Sequence, residues 1–120
     1  VSGSEVEANE IIGETEGRNI LMCDDIIATA GTICSAASLL KERGANKIYV
    51  CATHGVFAPP AFERLEQAPI DEVVVTNTIP LNERAQEVES IKILSVASML
   101  GEAIKRIHRN ESISNLFNNI

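Results

Sequence analysis

Tryptophan is absent from these 120 residues and aromatics total only 3%, so any core has to be built from Ile, Val, Leu and Ala. No apolar run approaches the roughly 20 residues that span a bilayer, which excludes an integral membrane protein. Three cysteines (Cys23, Cys34, Cys51) form no CxxC pair and share no metal-like spacing with His54 or His108. An odd count without a framework reads as reduced thiols in a cytoplasm, acting as small buried hydrophobes. Positive charge is also short. The formal net charge is −7, and residues 1–25 hold seven acids against one base, Arg18, while the rest is nearly balanced at −1. Without a basic face, nucleic-acid binding through phosphate neutralisation is excluded. The start, Val1-Ser2-Gly3-Ser4, has no initiator Met, basic n-region or apolar h-region. It does not read as a targeting peptide, and the expectation is part of a longer polypeptide. What remains is 45% hydrophobic and 22% charged with mean hydropathy +0.08, the composition of one soluble globular domain behind an acidic leader.

Apolar runs alternate with helical periodicities. Residues 19–23, 47–52, 72–76 and 91–95 read as strands. Ile33, Ala36, Ala37 and Leu40 recur at helical spacing before the stop at Gly44, and Pro59-Pro60 can open a short helix carrying Phe62 and Leu65. A longer helix is expected from Val96 to Arg109 on Met99, Leu100, Ala103, Ile104 and Ile107. The alternation predicts an α/β fold, a doubly wound, mainly parallel sheet covered on both faces. Ligands in such sheets bind beyond the carboxyl ends of the strands, which singles out three loops: 24–32, 53–60 and 76–82.

The first of these carries the chemistry. Asp24 and Asp25 are adjacent carboxylates at a strand end, tolerated best when a cation or hydroxyl donors face them. Thr29, Gly31 and Thr32 cluster where a helix begins; free amides and the helix dipole favour an anion there, and Gly31 permits close approach. A sugar phosphate satisfies both halves, its hydroxyls or their Mg²⁺ on the aspartates and its phosphate on residues 29–32. A threonine N-cap beside a solvated acid pair accounts for the same residues equally well. No GxxxxGK is present. A receiver domain, which shares the acidic pair, is excluded because Ala52-Thr53-His54 and Leu94-Ser95-Val96 offer neither a phosphoacceptor Asp nor the final Lys. Residues 19–40 contain no Lys or Arg. The loop can hold a phosphate monoester but cannot neutralise the charge of phosphoryl transfer unaided.

The run Ile20-Leu21-Met22-Cys23-Asp24-Asp25-Ile26-Ile27-Ala28-Thr29-Ala30-Gly31-Thr32 resembles the phosphoribosyl pyrophosphate (PRPP) signature of the type I phosphoribosyltransferase fold. Thr53-His54-Gly55-Val56-Phe57, Val74 to Pro80 and Glu111 to Phe117 are similar to the carboxyl-terminal half of the ribose-phosphate pyrophosphokinases, the PRPP synthetases. Glu5-Val6 and Ile11-Ile12-Gly13-Glu14 fit the same family. The resemblance implies transfer of a diphosphoryl group from ATP to ribose 5-phosphate, giving PRPP and AMP with Mg²⁺. It implies that Thr29, Ala30, Gly31 and Thr32 grip the 5-phosphate, that Ala28 lies beside the sugar in the same substrate-binding set, and that Asp24 and Asp25 hold the ribose hydroxyls, directly or through Mg²⁺ and water. It also implies a homo-oligomer in the cytoplasm, with ATP held by a first domain, and Ser112 and Ser114 at a regulatory phosphate and nucleotide site. The alternative role for that pair is a helix cap. Two departures stand out: Ala28 occupies a position where the family usually has Asp, and the first domain and mobile Lys/Arg loop are expected upstream of Val1. No catalytic residue is therefore assigned within the chain, and the chain alone is expected to be inactive. A non-catalytic regulatory subunit is the alternative, and a phosphoribosyltransferase that consumes PRPP is disfavoured.

The expected organisation is an acidic connector over 1–18, the α/β domain over 19–110, and a terminal segment over 111–120 that packs on the first domain. His54 is expected to order the 53–60 loop or an interface. His108 suits the dipole at a helix end, and Asn77 and Thr78 cap the turn before Pro80.

Overall fold

The structure is a computed structural model and describes residues 13–80 and 83–116. Most of the acidic leader, with Glu5, Val6, Glu7, Glu10, Ile11 and Ile12, lies outside the described residues, as does Phe117 at the other end.

Four strands alternate with helices: β1 Ile20–Ile27, α1 Gly31–Glu42, β2 Ile48–Gly55, α2 Ala61–Gln67, β3 Glu72–Thr76, α3 Glu83–Glu87, β4 Ile91–Leu94 and α4 Ala97–His108. A 3₁₀ turn, Ser114–Leu116, follows. All strand pairs are parallel, in the order β1-β2-β3-β4. The expected α/β class on a parallel sheet is therefore what is seen. Crossovers that all step the same way lay their helices on one face when each is right-handed. Burial agrees. Ile48, Val50, Val73, Val75 and Ile91 sink beneath Ile33, Ala37 and Leu40 of α1, Phe62 and Leu65 of α2 and Ala85 of α3. Each fully buried Val or Ile here is worth about 1.5–3 kcal/mol. The alternate residues Leu21, Cys23, Tyr49, Cys51 and Val74 point to the second face and are half-buried or exposed. Covering by helices, expected on both faces, is met on one among the described residues.

Two boundaries differ from expectation in a way that moves the site. β1 was expected to end at Cys23, with a loop from Asp24. Instead pairing continues, Asp24 opposite Ala52, Ile26 opposite His54 and Ile27 opposite Gly55, so the acidic pair stands on strand backbone. β2 likewise runs through Thr53 and His54 to Gly55. Backbone pairing between two long neighbours outweighed the local preference of Asp for turns. α3 was not anticipated; its five residues are too few for a periodic signal. The helix expected from 96 to 109 is present, yet none of its residues is buried. Leu100, Ile104 and Ile107 stand 52%, 68% and 63% exposed. The periodicity identified the helix correctly, but β4 is the last strand of the sheet and leaves that apolar stripe without a covering element among the described residues.

At its start, β2 is held by Asp71, whose Oδ2 accepts the Ile48 N–H while its own N–H donates to the Ile48 carbonyl, both at 2.8 Å. Thr15, the one buried polar side chain described, donates to the Arg43 carbonyl at 2.9 Å and seats the end of the leader against the α1–β2 link.

Candidate functional site

The end of β1 and the start of α1 enclose a recess of about 150 Å³, lined by Asp24, Ala28, Thr29, Ala30, Gly31 and Thr32 together with neighbouring isoleucines. Six of the seven residues expected at the site thus meet at one concavity. Asp25 is the exception. Successive residues of a strand face opposite ways, so the residue after Asp24 turns from the recess. The two carboxylates therefore do not face one point. Asp24 is further tied down, its Oδ1 accepting the Asp25 N–H at 2.8 Å, which leaves Oδ2 available.

Ala30 has φ +59°, a left-handed conformation that costs a residue with a Cβ about 1–2 kcal/mol. It is 5% exposed, held there by the core around it. Ala30 is also the N-cap of α1, and an alanine offers no side-chain acceptor. The first helical amide to find a carbonyl is Cys34 N–H, to Ala30 at 2.9 Å. The amides of Gly31, Thr32 and Ile33 are those that a helix start leaves open. No acid lies in this first turn. A strained, uncapped helix start with open amides and threonine hydroxyls has the chemistry that favours an anion.

Loop 53–60 braces the end of β1. Val56 and Phe57 both donate their N–H to the Ile27 carbonyl, at 3.0 and 3.1 Å, fixing the point where β1 gives way to the recess. Phe57 adopts φ +47° to do so and buries its ring against Phe62, centroids 5.4 Å apart. The Pro59–Pro60 peptide bond is cis.

Loop 76–80 forms a separate polar cluster. His54 Nδ1 lies 2.7 Å from Thr78 Oγ1, and Thr76 Oγ1 donates to the Thr53 carbonyl at 2.7 Å. His54 therefore ties the end of β2 to the segment after β3, a different loop from the 53–60 segment it is expected to order. Asn77 does more than cap a turn: its Oδ1 accepts the Val96 N–H at 2.9 Å, joining this loop to the start of α4. Ser112 Oγ accepts the Ser114 N–H at 3.2 Å, the cap geometry expected of a Ser-x-Ser at a turn start.

One residue that sequence reasoning passed over is Arg64. Its Nη1 donates to the Thr29 carbonyl at 3.0 Å and lies 3.0 Å from where a Cβ on Gly31 would stand. The guanidinium arrives from α2, more than thirty positions downstream of the loop. The only signal in the sequence is helical phase, with Phe62 and Leu65 buried and Arg64 between them at the rim. Its charge is felt on α1: burial pushes the Cys34 thiol above its ordinary range, and Arg64 pulls it partly back.

A cluster of three or more His, Cys, Asp or Glu able to cage a metal is absent among the described residues. A hydrated Mg²⁺ needs less, one or two carboxylates completed by waters and substrate oxygens, and the free oxygen of Asp24 fits that mode. No helix among the described residues is long and apolar enough to cross a membrane.

Comparison with known proteins gives one consistent set of relatives. The model of the phosphoribosyl synthetase-associated domain matches residues 4–118. The chain is 49% identical over 112 residues to a ribose-phosphate pyrophosphokinase of Prochlorococcus marinus, covering 92% of this chain and 34% of the relative. It is 43% identical over 114 residues to one of Aquifex aeolicus, covering 95% and 36%. A crystal structure of phosphoribosylpyrophosphate synthetase from Mycobacterium smegmatis superposes with TM-score 0.79 at 38% identity, over 82% of this chain and 33% of that one. The chain thus spans about a third of the length of the curated relatives it matches.

Proposed function

The chain belongs to the phosphoribosyl synthetase-associated domain family, and on that premise we propose that it is the ribose 5-phosphate-binding portion of a ribose-phosphate pyrophosphokinase. The observation that carries this reading is the recess at Asp24 and residues 28–32, where an uncapped helix start meets a single carboxylate. The 5-phosphate occupies the helix end, accepting from the amides of Gly31, Thr32 and Ile33 and from the hydroxyls of Thr29 and Thr32. Asp24 takes the ribose hydroxyls or a Mg²⁺ that rides on them; bound there, the ion would neutralise charge on the transferring diphosphoryl group. Asp25 serves the sugar less directly, from the opposite side of the strand.

In the full reaction the anomeric hydroxyl displaces AMP from the β-phosphorus of ATP. The contribution of this chain is to hold the acceptor still, and positioning is, with electrostatic stabilisation, one of the two sources of catalysis in phosphoryl transfer. Ala28 leaves the rim of the recess without a second carboxylate, and Asp24 carries the sugar contact there. The ATP-handling groups are assigned to the remainder of the polypeptide, the two thirds of the relatives' length that this chain does not span.

Titration calorimetry with ribose 5-phosphate tests the reading. Thr32→Val removes one hydroxyl donor to a dianion and is expected to weaken binding about tenfold, the worth of a charge-assisted hydrogen bond. The far-ultraviolet dichroism should not change. Unaltered affinity would remove the phosphate from this loop.

A further inference from the structure

The phosphate loop has no cation of its own in sequence, yet Arg64 brings one to it. Its Nη1 hydrogen-bonds the Thr29 carbonyl at 3.0 Å and stands equally close to the Cβ position of Gly31, the first residue of α1. Electrostatically this is a costly place for a guanidinium. The amino end of a helix carries a partial positive charge, and cations are disfavoured there. No acid of the first turn offsets the clash. The adjacent carboxylate does not offset it either, since Glu63 reaches away to Arg84 at 2.7 Å. Among the described residues no carboxylate pairs with Arg64. Helix dipole, open amides and guanidinium thus converge on one point, and the one carboxylate of the recess, Asp24, forms no ion pair with the guanidinium. An anion seated at the helix start would turn three unfavourable terms into favourable ones.

We propose that Arg64 is a positioning and specificity residue of this site, supplying the positive charge that favours a phosphorylated over an unphosphorylated pentose. The proposal rests on the ribose 5-phosphate reading above. Arg64 acts in two ways. Through the Thr29 carbonyl it fixes the loop so that the amides of residues 31–33 stay open. Through its charge it deepens the potential at the helix start, which the Thr29 and Thr32 hydroxyls alone cannot do. The near approach to Gly31 gives that glycine a second reason: any Cβ would press on the guanidinium.

The experiment compares the full chain with Arg64→Gln, Arg64→Lys and Thr32→Val by calorimetry with ribose 5-phosphate at two ionic strengths. Arg64→Gln is expected to weaken binding about tenfold and to make it less sensitive to salt. Arg64→Lys should recover part of the affinity and most of the salt dependence, because it restores charge without the planar fork. A structural staple alone would leave the salt dependence untouched. If Arg64→Gln stays within about twofold of the parent while Thr32→Val still weakens binding, the role of Arg64 is overturned and the site stands. If Arg64→Lys is as weak and as salt-insensitive as Arg64→Gln, the charge is not what matters and the proposal also fails. If neither Arg64→Gln nor Thr32→Val changes affinity, the phosphate site itself is misplaced and both readings fall.

Discussion

Cys51 Sγ donates to Cys23 Sγ across 3.1 Å, from one parallel strand to the next and directly opposite in register. Neighbouring strands bring paired Cα atoms to about 4.8 Å, inside the span that a disulfide bridges. The contact pushes the Cys51 thiol above its ordinary range, first because it is the donor to Cys23, then through burial and the neighbouring charge. Cys34 lies apart on α1, half-buried against the core. A mild disulfide reagent is therefore expected to join Cys23 to Cys51 and leave Cys34 alkylatable. Closing that loop should stabilise the chain by about 3.6 kcal/mol in the chain-entropy account. Peptide mapping of the oxidised and then alkylated chain reads both the crosslink and the alkylated Cys34. A one-residue slip in the pairing of β1 with β2 would send the two sulfurs to opposite faces and abolish it.

Gly55 ends β2 where a side chain has no room. A Cβ there would stand 2.6 Å from Phe57 Cε2 and 3.2 Å from Val75 Cγ2, both on buried residues. Gly55→Ala is expected to cost about 1–3 kcal/mol by overpacking. The damage should reach the site, because Phe57 and Val56 together hold the Ile27 carbonyl. Urea denaturation and ribose 5-phosphate titration on the same sample check both halves. Lost stability with affinity intact would show that loop 53–60 does not support the recess.

The sequence made the strands and α1 legible because apolar runs and a 3.6-residue repeat are local signals. It made the recess at the β1–α1 turn legible because Gly31 and two threonines beside an acidic pair are few and adjacent. Asp24 and Asp25 looked equivalent there. Strand alternation, visible only once β1 proved to run to Ile27, separated them. Arg64 was illegible for a different reason. A contact between α2 and the β1–α1 turn depends on how two helices pack on one sheet face, and no window of the sequence contains both. The stripe on α4 failed the other way: periodicity predicts that a face is apolar, never what it meets.

Glu63 on α2 and Arg84 on α3 meet at 2.7 Å, and the Arg84 guanidinium also lies 5.2 Å above the Phe62 ring. A hydrogen bond from its own backbone N–H, followed by the one from Arg84, holds the Glu63 carboxyl below the usual glutamate range. A lowered folded-state value means that the native state favours the ionised form. The stabilisation is present above the unfolded value, about 4.3, and is lost as pH falls through the folded one. Both side chains are about half exposed, so the contribution is small and screened by salt. Glu63→Gln should lower the urea midpoint slightly at neutral pH, and the gap to the parent should close near pH 3. Arg84→Met, which retains packing on Phe62 without the charge, should flatten the same pH dependence. A gap between parent and Glu63→Gln that persists unchanged at acid pH would mean that the carboxylate does not link α2 to α3 through its charge.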